Sequence, residues 1–251
     1  MTKRVSVVMI TLDAGDLIHK CLDSVTFADE IIVVDSGSKD ATLDICRQYQ
    51  AKIFERPFSG YGAQKNYAVE QASGEWVFVI DADERVPIEL REEIAATVVD
   101  PDAADGYFVA RKNYVGDKWI QFGGWYPDYS LRLFRRGKGR FNERAVHEAA
   151  LVQGKVATLK HPLIHRTCRD FEEFHKRQMR YAELAAGQMA QEGKSAGVLD
   201  SLLRPPMTFL KMFVVKGGFL DGSAGWKLAR LYARYTRRKY SLLRELRKGG
   251  H

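Results

Sequence analysis

The sequence has little cysteine. Three residues, Cys21, Cys46 and Cys168, stand far apart with no Cys-x-x-Cys pair. That counts against a disulfide framework and a structural zinc site, and fits a reducing cytoplasm. No apolar run reaches the roughly 20 residues a bilayer span needs. The richest stretch, MTFLKMFVVKGGFL, is interrupted by Lys211 and Lys216. The amino terminus turns polar after one strand's length and has no small-residue cleavage site, so no secretory leader is expected. Gly-x-Gly-x-x-Gly is absent after the first apolar run, where TLDAGDLIHK stands instead, which counts against a dinucleotide-binding dehydrogenase. There is no internal repeat, low-complexity tract or clear linker. Acids are scarce at one end: from Trp226 to Lys248 nine basic residues meet one acid, Glu245. That segment carries +8 of a net +7, so the remainder is nearly neutral and any attraction to an anionic partner lies in the last helix.

What is present is an ordinary globular composition, 45% hydrophobic over 251 residues, enough for one large domain with or without an appendage. The first part alternates. RVSVVMIT, EIIVVD, AKIFER and EWVFVID read as strands, separated by helical stretches of about ten residues, a pattern that predicts a parallel sheet with helices on both faces. A helix is expected from Pro87 to about Val99. Residues 105–165 change texture: GYFVARKNYV, YSLRLFRR and KVATLKHPLIH predict antiparallel additions to the open sheet. From Asp170 the pattern is helical, through FEEFHKRQMRYAELAAGQMAQEG, the hydrophobic piece SLLRPPMTFLKMFVVKGGFL, and a basic amphipathic helix GWKLARLYARYTRRKYSLLRELRK.

The fourth strand stops in Asp81, Asp83 and Glu84. Ligands bind outside the carboxyl ends of strands in open parallel sheets. If the backbone stays extended, residues two apart face the same way, and both aspartates can address one ion or one substrate group. Paired carboxylates in a cleft repel unless a cation neutralises them, and hard divalent ions favour oxygen ligands and bind phosphates by shared coordination. The competing reading is that these acids cap the next helix, where Pro87 fits a first-turn position. Context favours a pocket. Asp35 ends the second strand, Thr11 and Asp13 end the first, and GYGAQKNYA adds Lys65 and Asn66.

In order and spacing, VSVVMITLDAGD, EIIVVDSGSKDAT, QKNYAVEQASGEWVFVIDADE, WYPDYSLRLFRR and VHE resemble a family 2 glycosyltransferase over residues 4 to about 165. The shorter stretch GGFLDGSAGW is similar to the bacterial subgroup that includes lipopolysaccharide core β-1,4-glucosyltransferases. The resemblance implies an α/β GT-A (nucleotide-diphospho-sugar transferase) fold, Rossmann-like and mostly parallel, with antiparallel additions and a C-terminal helical extension. It places a catalytic domain at residues 1–168 and a helical extension at 169–251. It also implies roles. Asp35 would contact the nucleoside, with Thr11 and Asp13 lining the same pocket and Lys65 and Asn66 near the nucleotide. Asp81 would sit by the ribose or sugar, and Asp83 would ligate Mg²⁺ or Mn²⁺, with Asp81 and His165 as further candidate ligands. Ser36 stands where many members carry a second acid. An inverting enzyme needs a base for the acceptor hydroxyl. Glu148 in VHE and Asp128 in PDYSLRL are the candidates, the first favoured by its His-Glu pairing. A sugar-nucleotide pyrophosphorylase, which uses a related fold, would need a Gly-rich phosphate loop that is missing after the first strand.

The expected reaction is transfer of a sugar, glucose by resemblance, from a UDP-sugar to a lipid-linked saccharide of the lipopolysaccharide core or another envelope glycan. A polyprenyl-phosphate or other surface-polysaccharide transferase is the alternative. A non-enzymatic nucleic-acid-binding module with a basic tail would have no use for acids at a strand end, so no nucleic-acid partner is expected. Arg132, Arg135 and Arg136 are candidate phosphate contacts or a solvated strand edge. Trp119, Trp125 and Tyr126 could stack on sugars or merely pack. Leu228, Leu231, Tyr232 and Tyr235 recur at helical spacing with Arg230, Arg234, Arg237 and Arg238 on other faces. That predicts either an interfacial helix on the anionic inner leaflet of the cytoplasmic membrane or a packed helix with a solvated basic face.

Overall fold

Strands β1 (Val5–Thr11), β2 (Glu30–Asp35), β3 (Lys52–Glu55) and β4 (Trp76–Val79) are joined by helices α1 (Gly15–Ser24), α2 (Thr42–Gln48) and α3 (Tyr61–Glu70). The computed structural model describes residues 4–142 and 149–248. β2 and β4 are buried along their whole length, which is why their sequences run apolar without alternating. β1 pairs in parallel with β2 (Thr11 opposite Asp35) and with β4 (Val8 opposite Val79), and β3 adds to the outer edge of β2.

After β4 come the two-residue β5 (Glu84–Arg85), α4 (Ile88–Thr97), β6 (Gly106–Val115), β7 (Lys118–Trp119) and β8 (Asp128–Arg135). β9 (Gly139–Phe141), β10 (Ala150–Val152), β11 (Val156–Thr158) and β12 (Leu163–Cys168) follow. The sheet order is β3-β2-β1-β4-β8-β6-β12-β5, with β8 antiparallel to both β4 and β6. The parallel half is as the sequence predicts, and β8 is the antiparallel addition expected; β11, from KVATLKHPLIH, departs from that expectation by pairing with β6 in parallel. Alternate side chains fill two cores, one per face of the sheet. Val7, Met9, Trp76 and Phe78 join α1 and α4 residues on one side. Val8, Ile32, Val34, Val77 and Val79 pack with Ala68 and Val69 of α3 on the other.

The chain divides into two compact units, Met1–Arg111 with Asp128–His165, and Lys112–Pro127 with Arg166–His251. The second holds three long helices, α5 (Phe171–Gln191), α6 (Val198–Leu210) and α7 (Ser223–Lys248), with a π-helical turn at Lys211–Val215 and a 3-10 turn at Gly218–Asp221. Asp170 caps α5, its carboxylate accepting the N–H groups of Glu172 and Glu173, both at 2.8 Å. The core of this unit is Val115, Ile120, Trp125, Cys168 and Phe174 with Ala224, Leu228 and Leu231 of α7. The tail helix thus turns its apolar stripe inward and packs on α5 and α6. The interfacial reading of that stripe is corrected: its leucines are covered, and the basic face is what remains outside. Trp125 is likewise a packing residue, stacked at an angle on Phe174.

The GGFLDG stretch is a clamp. Asp221 is buried, and its carboxylate accepts the backbone N–H groups of Gln121 (3.1 Å) and Phe122 (2.8 Å). A side chain at Gly218 would meet the Met212 carbonyl at 2.6 Å, which accounts for glycine there.

Candidate active site

The parallel pairing of β1, β2 and β4 brings their carboxyl ends to one edge, with the order reversal between β1 and β4 where open sheets bind ligands. Asp35, fully buried at the end of β2, is folded into its own turn. Its carboxylate accepts the N–H groups of Gly37 and Ser38, both at 2.8 Å, and the Ser38 hydroxyl. Asp13 sits just past β1 in a left-handed conformation (φ 47°). Its N–H donates to Ser38 Oγ (2.9 Å) and its carboxylate accepts from the Lys39 N–H (2.7 Å). The two acids lock the loops after β1 and β2 together. Beside them, the buried Thr11 hydroxyl and Gln64 carbonyl oxygen have no hydrogen-bond partner among the described residues. Buried polar atoms left so are costly unless a ligand satisfies them.

The strand-end acids do not cap α4. Pro87 occupies the N-cap position and no side chain caps that helix. Nor do Asp81 and Asp83 lie on one extended segment. The chain turns between them, with the Glu84 N–H donating to the Asp81 carbonyl at 2.9 Å. The turn sends the two carboxylates to different partners. Asp81 pairs with Lys65 of α3 (3.2 Å) and Arg132 of β8 (3.0 Å). Asp83 lies 3.2 Å from Nε2 of His165 on β12, where the β12–β5 pairing sets His165 opposite Glu84.

Glu84, whose side chain is fully enclosed, is gripped by Arg132, and Arg111 stands 3.7 Å from it. Arg111 also pairs with Asp128 at 2.7 Å. The result is an alternating row: Lys65, Asp81, Arg132, Glu84, Arg111, Asp128. Burial alone would raise the Asp81 carboxyl, but Arg132 and then Lys65 outweigh it and hold that carboxyl well below the usual range. Glu84 moves the opposite way. Its complete desolvation raises it, against the pull of Arg132 and helped by the neighbouring Asp81 charge. Burial likewise opposes the charge on Arg132, and Glu84 and Asp81 more than restore it. Cys21 lies under the site, its Sγ 3.5 Å from the Asp81 carbonyl. Burial, then the charges of Glu84 and Asp81, push its thiol well above the ordinary value, so it is no nucleophile.

Of the residues picked from the sequence, Asp13 and Asp35 meet at one turn, while Lys65, Asp81, Asp83, Asp128 and His165 gather around the row. Asn66 is placed otherwise. Its side chain exchanges two hydrogen bonds with the backbone of Phe141 (2.8 and 2.9 Å), pinning β9 to α3, so its amide is spent within the fold. His147 and Glu148 lie outside the described residues. Two charged members escaped the sequence reading, Arg111 and Arg132 in this role, while Glu84 is named there among the strand-end acids but given no part in the site. Arg132 is neither a phosphate contact nor a solvated edge, but the buried cation shared by two carboxylates. The signal available was its place inside an apolar run of β8, with Leu131 before it and Leu133 and Phe134 after it all buried, so that both faces of the strand are covered there. Arg135 and Arg136 are spent elsewhere, over the Trp76 ring and on the Gly74 carbonyl. Among the described residues, no group of three His, Cys, Asp or Glu side chains converges as a ready metal site.

The sequence and the fold each have counterparts among known proteins. The sequence model of glycosyl transferase family 2 matches residues 6–153. The lipopolysaccharide core biosynthesis glycosyltransferase LpsC of Rhizobium meliloti (strain 1021) is 31% identical, over 94% of this chain and 93% of its own length. An uncharacterized glycosyltransferase of Rickettsia typhi (strain ATCC VR-144 / Wilmington) is 26% identical over 97% of this chain and 88% of its own. In three dimensions, the crystal structure of S. aureus TarS 1-349 superposes with a TM-score of 0.50 at 18% identity, covering 99% of this chain and 92% of that one. That similarity establishes a GT-A glycosyltransferase fold. A family match through the whole strand-end region, together with an end-to-end likeness to a glycosyltransferase, makes this chain a member of glycosyl transferase family 2 and a glycosyltransferase.

Proposed function

We propose that the protein is an inverting transferase that moves a sugar, glucose in the simplest case, from a UDP-sugar to a lipid-linked saccharide of the lipopolysaccharide core. The observation that carries this reading is the meeting of Asp13, Asp35 and the Asp81–Asp83 turn at the carboxyl edge of β1, β2 and β4. The likeness to LpsC over nearly the whole chain supports the acceptor class. Another surface polysaccharide is the second reading. A poly(ribitol-phosphate) beta-glucosyltransferase of Bacillus spizizenii (strain ATCC 23059 / NRRL B-14472 / W23) is 35% identical, over only 33% of this chain and 15% of its own.

In this reading Asp35 and Asp13 present the nucleoside pocket, and the unsatisfied Thr11 hydroxyl and Gln64 carbonyl oxygen supply ready hydrogen-bonding groups there. Lys65 lies beside the nucleotide, and Asp81, held ionised by its two cations, accepts from ribose or sugar hydroxyls. The fit of a divalent ion is with Asp83 and His165, an oxygen and a nitrogen donor side by side; Asp81 is already neutralised by Lys65 and Arg132. Mg²⁺ or Mn²⁺ bound there would stabilise the charge of the departing diphosphate. The chain's own residues do the rest. A base takes the proton of the acceptor hydroxyl as its oxygen bonds to the anomeric carbon and the bond to the UDP oxygen breaks on the opposite face. Glu148 is assigned as that base. Asp128, held by Arg111, is the alternative. We assign catalysis to residues 1–168, of which Lys112–Pro127 and the last three belong to the compact helical unit, and treat 169–251 as the helical extension. We also infer that the enzyme works on the inner face of the cytoplasmic membrane, drawn there by its basic residues. Among the described residues no helix is long and apolar enough to cross a membrane.

Calorimetric titration of UDP into wild type and Asp83→Ala, each with Mn²⁺ and with chelator, tests the donor site. Metal-dependent binding lost in the variant is expected. Binding indifferent to metal and mutation would make Asp83 a structural turn residue, and no UDP binding would reject the donor class.

A further inference from the structure

Helix α6 is built inside out. Its covered positions are Ser201 and Pro205, and Thr208 meets Thr236 of α7 through their hydroxyls at 3.2 Å. Its apolar residues point away: Leu199, Leu202, Leu203, Met207 and Leu210 are each more than half exposed, as is Val214 in the π turn that follows. These positions recur at the three- and four-residue spacing of one helix face, which the π turn prolongs. Among the described residues, ten of the 24 exposed large apolar side chains fall between Val198 and Leu220. An apolar face this continuous marks an interaction site, since lone exposed leucines need no explanation but a stripe does.

The surroundings say which partner it fits. Lys211 and Lys216 are exposed within the same stretch, and the unit that carries it holds 20 Lys and Arg against 9 Asp and Glu. An apolar stripe in so basic a unit complements a surface that is anionic outside and hydrocarbon beneath. We propose that the outward face of α6 and the π turn is the element that inserts into an anionic lipid surface. The basic face of α7 supplies the long-range attraction, and its leucines Leu228 and Leu231 are spent in the core with Trp125 and Phe174. The inference rests on the reading of the enzyme as peripheral on a membrane, and replaces the tail helix with α6 as the part that enters the lipid.

Co-sedimentation of the full chain with vesicles of phosphatidylglycerol and phosphatidylcholine, and of phosphatidylcholine alone, tests it. Three proteins are compared: wild type, the face variant Leu203→Asp with Met207→Asp, and the charge variant Arg234→Glu with Arg237→Glu. Each is first shown to melt as wild type does. Wild type is expected to bind the anionic vesicles and to keep a bound fraction in about 1 M salt, where the Debye length is only about 3 Å. The face variant should lose that salt-resistant fraction and bind roughly tenfold more weakly or worse. The charge variant should lose binding at low salt. If the face variant binds like wild type while the charge variant does not, the membrane reading stands and the α6 assignment falls. If wild type binds no vesicle, both fall. If instead wild type forms a dimer by sedimentation velocity that the face variant abolishes, with no lipid binding, the face belongs to a second copy of the chain and the proposal is overturned.

Discussion

The two units of this chain handle charge and apolar surface in opposite ways. The first has 19 Lys and Arg against 23 Asp and Glu, yet it buries Glu30, Asp35, Lys65, Glu84 and Arg132. The second is strongly basic, and among its described residues Asp221 is the single buried charge, while a row of leucines lies outside. A charge is removed from water only where partners or chemistry repay the desolvation, so the first unit's interior charges mark a site. An apolar side chain is left in water at length only where something else covers it, so the second unit's surface marks an interface.

The largest test of this contrast is Arg132→Met. It strips the shared cation from a fully enclosed Glu84 and from Asp81, and should cost about 3–5 kcal/mol, or prevent folding, in a denaturant titration. Leu202→Ser on the open face of α6 should leave stability nearly unchanged, and an equal loss there would erase the distinction. A core cut in the second unit comes next. Leu228→Ala should cost about 2–5 kcal/mol, and amide exchange should speed first in α5 and α7.

The third test is pH. Asp81 is depressed, so its contribution is complete above the ordinary aspartate value of about 3.9 and is lost as pH falls through the lower folded value. Glu84 is raised and has the opposite sign: its contribution is present below the ordinary glutamate value of about 4.3 and is lost as pH rises through the folded value. Asp81→Asn should therefore flatten the acid limb of a stability–pH curve, and Glu84→Gln should flatten the limb above it. An unchanged acid limb in the first variant would remove Asp81 from the alternating row. The smallest effect is Asp170→Ala, which deletes the α5 cap and should cost about 1 kcal/mol in thermal unfolding.

The strand-end acids were legible because strand periodicity and a parallel sheet suffice to set Thr11, Asp35 and Asp81 on one edge. Their partners were less so. Arg132 reads as one more arginine in a basic strand, and only the β4–β8 pairing carries it under the Asp81 turn. Asn66 looks like a ligand residue because nothing local reveals that β9, some 75 positions later, will take both ends of its amide. Extended geometry was the natural assumption for the Asp81–Glu84 segment, and a single turn there separates the two aspartates into different neighbourhoods.

Sequence by itself determined the alternation of strands and helices, the acid-tipped edge, the basic tail and the family, because these depend on period, composition and order along the chain. Tertiary structure decided which carboxylate meets which cation, and which of two amphipathic helices in the second unit shows its leucines. The residue spacing in α6 and in α7 gives each helix an apolar stripe. Only packing chooses the stripe that is covered, since α7 has two helices to lie against while α6 meets α7 through its serine, proline and threonine side.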